Sequence, residues 1–155
     1  MAESDIAQPS RAGPEHKRLE AFVGTWHTEG EIRASSSGPA ARVHATDVYE
    51  WLPGGFFLIH RWDAHMPDGD TQGIEIIGYD GASSTYPMHS FDSQGNAGVM
   101  QASVEGDTWR FTGEALRFTG GFHDEGNTFA GVWEQRSGDG PDWLPWMDIK
   151  LTKVP

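Results

Sequence analysis

From Gly24 onward the chain is broken so often by turn-forming residues that no long element fits between the breaks. Turn signals stand at Pro53-Gly54-Gly55, Asp68-Gly69, Asp80-Gly81, Gly95-Asn96, Glu105-Gly106-Asp107, Glu125-Gly126-Asn127 and Gly138-Asp139-Gly140. Such clusters supply the positive φ values and pre-set geometry that tight turns need. Between them lie strand-like runs: Thr25–Ala34, Arg42–Leu52, Phe56–Met66, Thr71–Tyr79, Thr85–Phe91, Gly98–Val104, Thr108–Thr112, Ala115–Phe122, Thr128–Arg136 and Pro145–Val154. Regular short strands joined by tight turns predict an all-β, antiparallel, up-and-down meander of about ten strands, closed as a sandwich or a barrel. The serine-rich stretch Ser35–Gly38 reads as a loop.

Ahead of this meander only one segment reads as a helix. Pro14 suits a first helical position, Glu15 sits where the helix dipole favours an anion, and Gly24 suits a C-terminal stop. Leu19, Phe22 and Val23 form its apolar stripe. So short a helix is marginal alone, so it is expected to plug or cover one end of the barrel. Residues 1–12 are polar and unpatterned and read as a disordered tail, which leaves 13–155 as one domain.

Composition narrows the function classes. The chain of 155 residues has no cysteine, which excludes disulfides and thiolate metal sites. Its 23 acidic and 11 basic residues give a net charge of -12, which repels phosphate backbones, so nucleic acid is not an expected partner. The first dozen residues lack the apolar core of a signal peptide, and no run reaches membrane-spanning length. The expectation is a cytoplasmic protein without a membrane partner.

The turns also give a conditional register. If Pro53-Gly54 are the central residues of a two-residue hairpin, Trp51, Tyr49 and Asp47 oppose Phe56, Leu58 and His60 on one face. If Asp68-Gly69 form the next turn, Leu58, His60 and Trp62 face Tyr79, Ile77 and Glu75. This aromatic-rich face is assigned inward; the opposite face, with Val48, Glu50, Arg61, Asp63 and Ile74, is mixed. A slip of one residue would invert the assignment. The predicted lining is therefore Tyr49, Trp51, Leu58, His60, Trp62, Ile77 and Tyr79, joined by His89 if Thr85, Pro87, His89 and Phe91 also face in. Asp47 and Glu75 lie among these rings, where buried carboxylates need partners.

Seven histidines invite a metal hypothesis. His16 is expected to be solvated and His123 lies beside a turn, while His44, His60, His65 and His89 fall on strands. No compact His-x-x-x-His spacing is present, and no metal site is assigned. His60 with Asp47 or Glu75 is the candidate catalytic constellation, since a carboxylate beside an imidazole raises its pKa and permits proton transfer. No nucleophile motif accompanies it. Asp92 and Ser93 run into the Gly95 turn, where they either guard a barrel mouth or cap the turn, the latter being favoured. Trp143-Leu144-Pro145-Trp146-Met147 is hard to bury entirely: exposed, it marks a partner or homodimer surface; folded over, it lids a cavity.

The segment Gly24-Thr25-Trp26-His27-Thr28-Glu29-Gly30, just after a short helix, resembles the Gly-x-Trp first strand of the calycin superfamily, which includes lipocalins, fatty-acid-binding proteins and nitrobindins. Further segments resemble a bacterial lipocalin-like family catalogued as a domain of unknown function: Glu15–Gly30, Tyr49–Leu58, Ile77-Gly78-Tyr79-Asp80, Ser90–Gly95, Phe111-Thr112-Gly113-Glu114 and Trp143–Asp148. The resemblance spans nearly the whole chain from about residue 13, and implies a calycin-like barrel without fixing an activity. It also implies a structural Trp26, closing the barrel base against Lys150 or Lys153 of the last strand. Nitrobindins hold haem through a histidine near the C-terminal end. Here Trp146–Val154 contains none and Thr28 stands where a glycine is usual, so no haem or other cofactor is expected.

The expected function is binding of a small, mostly apolar molecule in the barrel cavity. Two other classes stay open: a cofactor-free cyclase or isomerase using the His60–carboxylate pair, and an interaction domain with a filled core.

Overall fold

In the computed structural model, which describes residues 12–36, 38–136 and 140–155, ten strands close into one antiparallel barrel. Their ranges are β1 Gly24–Ile32, β2 Ala41–Trp51, β3 Leu58–Met66, β4 Gly69–Ile77, β5 Tyr86–Asp92, β6 Ala97–Glu105, β7 Thr108–Thr112, β8 Leu116–His123, β9 Thr128–Arg136 and β10 Trp143–Lys153. Each strand pairs with its neighbours in sequence, and β10 returns to pair with β1, which leaves no open sheet edge. Of the expected tail only Ala12 falls among the described residues, and two residues of the expected Gly138-Asp139-Gly140 turn lie outside them. Ser35 and Gly38 form a small antiparallel bridge within their loop. No described helix is long and apolar enough to cross a membrane.

The expected helix is shorter than its sequence signals. A single α-helical turn, α1 (Pro14–Lys17), passes into a 3₁₀ turn at Arg18–Phe22, and Val23 is already extended. Gly24 is therefore the first residue of β1, at φ +134°, rather than a helix cap. The 3₁₀ turn drives Leu19 and Phe22 into one end of the barrel, where Phe22 meets Tyr49, Trp109, Phe122 and Phe129 edge-on or tilted at 4.9–5.5 Å. Trp26 is fully buried beneath this plug, and its indole N–H donates to the Phe22 carbonyl at 2.8 Å, pairing an acceptor that the ending helix would otherwise leave free. Burial of each such ring contributes on the order of 2–3 kcal/mol. Lys153 lies directly across from Trp26 and sets its ammonium 5.1 Å from the ring centroid. Lys153 thus fills the role expected of either lysine; Lys150 pairs with Glu29 and is exposed.

The two assumed hairpins are corrected. Leu52 N–H donates to the Phe57 carbonyl, so the β2–β3 loop holds four residues, with Gly54 and Gly55 both at positive φ. The pairs become Trp51–Leu58, Tyr49–His60 and Asp47–Trp62. The β3–β4 turn is centred on Pro67-Asp68, giving Leu58–Ile77, His60–Glu75 and Trp62–Gly73. Both pairings slip by two residues from the expected ones. Because side chains alternate with period two, a slip of two keeps every residue on its expected face.

Candidate functional site

Three strands deliver the polar core of the cavity side by side. Asp47 on β2, His60 on β3 and Glu75 on β4 all point inward, which is where the aromatic-rich face was expected to place them. His60 Nε2–H donates to Asp47 Oδ1 at 2.6 Å, and Nδ1–H donates to Glu75 Oε1 at 3.0 Å. Each ring nitrogen thus faces a carboxylate oxygen, an arrangement that suits an imidazolium, which donates from both nitrogens. The other Asp47 oxygen accepts the Thr28 hydroxyl hydrogen from β1. Tyr49 stacks on His60 with centroids 4.0 Å apart and planes 6° from parallel, while the Trp62 ring lies 5.5 Å from the imidazole, tilted by 48°.

The electrostatics follow from this packing. Burial lowers the His60 pKa, but hydrogen bonds to Asp47 and Glu75, reinforced by their charges, outweigh it and raise it to about 9. Burial, then the charges of Asp47 and Glu75, push the Tyr49 phenol well above its usual range, so it stays neutral.

Beside this polar corner the barrel encloses a cavity of about 160 Å³, with Asp47, Tyr49, His60, Trp62 and Glu75 on one side. Met88, Met100, Phe111, Phe118, Phe129, Trp133, Ile149 and Leu151 form the apolar remainder. Trp62, Met100, Phe111 and Trp133 are only half-buried, so the cavity wall is partly open to solvent. Gly73 makes room for Trp62, since a Cβ there would fall 2.1 Å from the indole.

Other expected lining residues lie elsewhere. Leu58 and Ile77 are buried in the layer beneath the plug. Trp51 donates its indole N–H to Glu20 Oε1 at 2.7 Å, and Tyr79 packs against His16 and Tyr86. His16 is accordingly not solvated: it is half-buried, edge-on to Phe56 and Tyr79, and accepts the Gly13 N–H. His89 is a correction too. Tyr86 and Met88 face inward on β5, so His89 and Phe91 point out and are exposed.

Three sites outside the cavity complete the placement. Asp92 accepts the backbone N–H groups of Gln94 and Asn96 at 2.9 and 3.0 Å, which caps the Gly95 turn and holds its carboxyl below its ordinary pKa. Trp143 is sandwiched between Arg117 and Arg136 on the outer surface, with guanidinium carbons 4.5 and 4.7 Å from its ring. Met147 is buried and Leu144 is exposed, so the Trp143–Met147 segment neither forms one apolar surface nor lids the cavity. Among the described residues no group of three or more His, Asp or Glu side chains has the arrangement of a metal site. Nor does the cavity suit haem, because its one histidine has both nitrogens engaged.

The apolar half of the cavity escaped the sequence reading. Its residues follow from alternation along β5 to β10, which a consistent count of inward positions from Trp109 and Phe111 would have found.

Comparison with solved structures finds Rv2717c from M. tuberculosis at a TM-score of 0.62 and 12% identity, over 92% of this chain and 99% of that one. This likeness shows the fold. A de novo designed fluorescence-activating β-barrel aligns over 89% of this chain and 98% of its own, at a TM-score of 0.47 and 15% identity. No curated protein matches the sequence. Residues 11–123 match the model of a family described as protein of unknown function, DUF1579, and since that match takes in the plug, the cluster of Asp47, His60 and Glu75 and most of the barrel, the chain belongs to the DUF1579 family.

Proposed function

We propose that the barrel binds a small, mostly apolar molecule in the cavity beside His60. The observation that carries this reading is the asymmetry of the wall, where aromatic, aliphatic and methionine side chains face a single polar corner. Binding sites have this composition: apolar area supplies affinity and a few polar groups fix orientation. A space of about 160 Å³ is close in size to an apolar cavity of about 150 Å³ that accepts benzene.

An acid–base enzyme gains less support. For His60 to transfer a proton, one of its ring nitrogens must face the substrate, and both face carboxylates of the protein. An interaction domain with a filled core does not fit a cavity of this volume.

Native mass spectrometry of the purified protein, compared with its denatured spectrum, is expected to reveal a retained small molecule. Ile149→Trp should fill the space and abolish retention while leaving the circular dichroism spectrum unchanged. A ligand that binds only the folded state must also raise the melting temperature. A wild-type protein that is empty, and whose melting temperature is unmoved by millimolar benzene or indole, would refute the reading.

A further inference from the structure

Building on the binding role proposed above, we infer that the cavity selects ligands whose polar end is a cation, an ammonium group on a benzene-sized body, and rejects carboxylates. The reason is a charge count inside the wall. Asp47 and Glu75 are two carboxylates, and the imidazolium of His60 between them is one cation. Among the described residues neither carboxylate has another ion-pair partner, and no lysine or arginine lines the cavity. Two carboxyl groups thus share one imidazole, and no lysine or arginine of the wall faces the second of them, in largely apolar surroundings where an unpartnered polar group is costly.

The hydrogen bonds show which carboxyl group that is. Both Asp47 oxygens are engaged, one by His60 and one by the Thr28 hydroxyl. Glu75 uses Oε1 for His60, while Oε2 accepts from no protein donor and is not sealed from the cavity. A group entering the cavity therefore meets a free carboxylate oxygen. A ligand carboxylate would meet like charge there, and would find both His60 N–H groups already used. An ammonium would supply both the missing charge and the missing donor.

The aromatic wall favours the same choice. Trp62, Phe111 and Trp133 line the cavity, and aromatic ring faces attract cations. The ligand's apolar body then rests on Met88, Met100 and Ile149.

Isothermal titration calorimetry with toluene, benzyl alcohol, benzylamine and benzoate at neutral pH tests this, because the four share one ring and differ in the polar end. Benzylamine should bind tightest and benzoate should not bind detectably. Glu75→Gln keeps the shape and removes the charge; it should weaken benzylamine by about ten- to hundredfold, the range of one charge-assisted hydrogen bond, and benzyl alcohol by less. Benzyl alcohol or benzoate binding as tightly as benzylamine to the wild type would overturn the cation preference while leaving the binding role intact. If none of the four binds, the cation preference falls, and the native mass spectrum described above decides the binding role separately. If the variant does not fold, the wild-type ranking alone decides.

Discussion

His60 is a cation that the fold creates, since a free imidazole is mostly neutral at pH 7 and this one is held protonated by Asp47 and Glu75. Its pH dependence has a definite sign. Below about pH 6.5 the ring is protonated in the folded and the unfolded chain alike, and its stabilising contribution is whole. Between there and about 9 the unfolded chain binds fewer protons, so stability falls as pH rises, and above the folded pKa of about 9 the contribution is gone. The loss should be on the order of 3 kcal/mol across that window, read by urea denaturation at a series of pH values. His60→Gln should flatten the profile, which separates this effect from the exposed His65–Asp70 pair. A wild-type profile as flat as the variant's would show that His60 is not the charged member of the cluster.

At the scale of elements, the strands and their inward faces were legible in the sequence, whereas turn geometry was not. Gly54 and Gly55 both take positive φ in a four-residue loop, and nothing in Pro53-Gly54-Gly55 distinguishes that loop from a two-residue turn. Asp47, Tyr49, His60 and Glu75 were still placed correctly inward because both slips were even. His89 was misplaced for a different reason: the Asp80–Thr85 loop resets the phase, and Phe91 makes the outward face of β5 look apolar. Packing between strands was equally hidden. Gly120 and Gly131 sit directly opposite each other across β8 and β9 so that the Phe118 ring can lie over them. A Cβ on Gly131 would fall 2.2 Å from the Thr119 carbonyl oxygen and 2.6 Å from Phe118 Cζ. Gly131→Ala should therefore cost about 3 kcal/mol in denaturant titrations, at the upper end for overpacking. Gly38→Ala, where a Cβ would meet nothing within 4 Å, should be near neutral. Equal losses at the two positions would remove this account of the glycine pair.

For the whole molecule, closure matters more than any single strand. β10 satisfies the hydrogen-bonding edges of both β1 and β9, and Arg33 adds a bidentate ion pair to Asp148 across the β1–β10 seam. A chain ending before Trp143 would expose two strand edges at once and lose Met147, Ile149 and Leu151 from the interior. It should elute as aggregate in size-exclusion chromatography and lose cooperative melting. A monomeric truncation that melts cooperatively would mean the remaining nine strands can reclose without β10.

The seam has a mechanical consequence. β1 begins where β10 ends, with the Val154 N–H bonded to the Thr25 carbonyl and Lys153 beside Trp26. Force applied to the two chain ends would first withdraw the Leu19–Phe22 plug and then load the seam from one end. Its hydrogen bonds would open in succession, like a zipper, instead of sharing the load in shear. A barrel with no free edge at equilibrium would thus yield at low tension along the line where its ends meet.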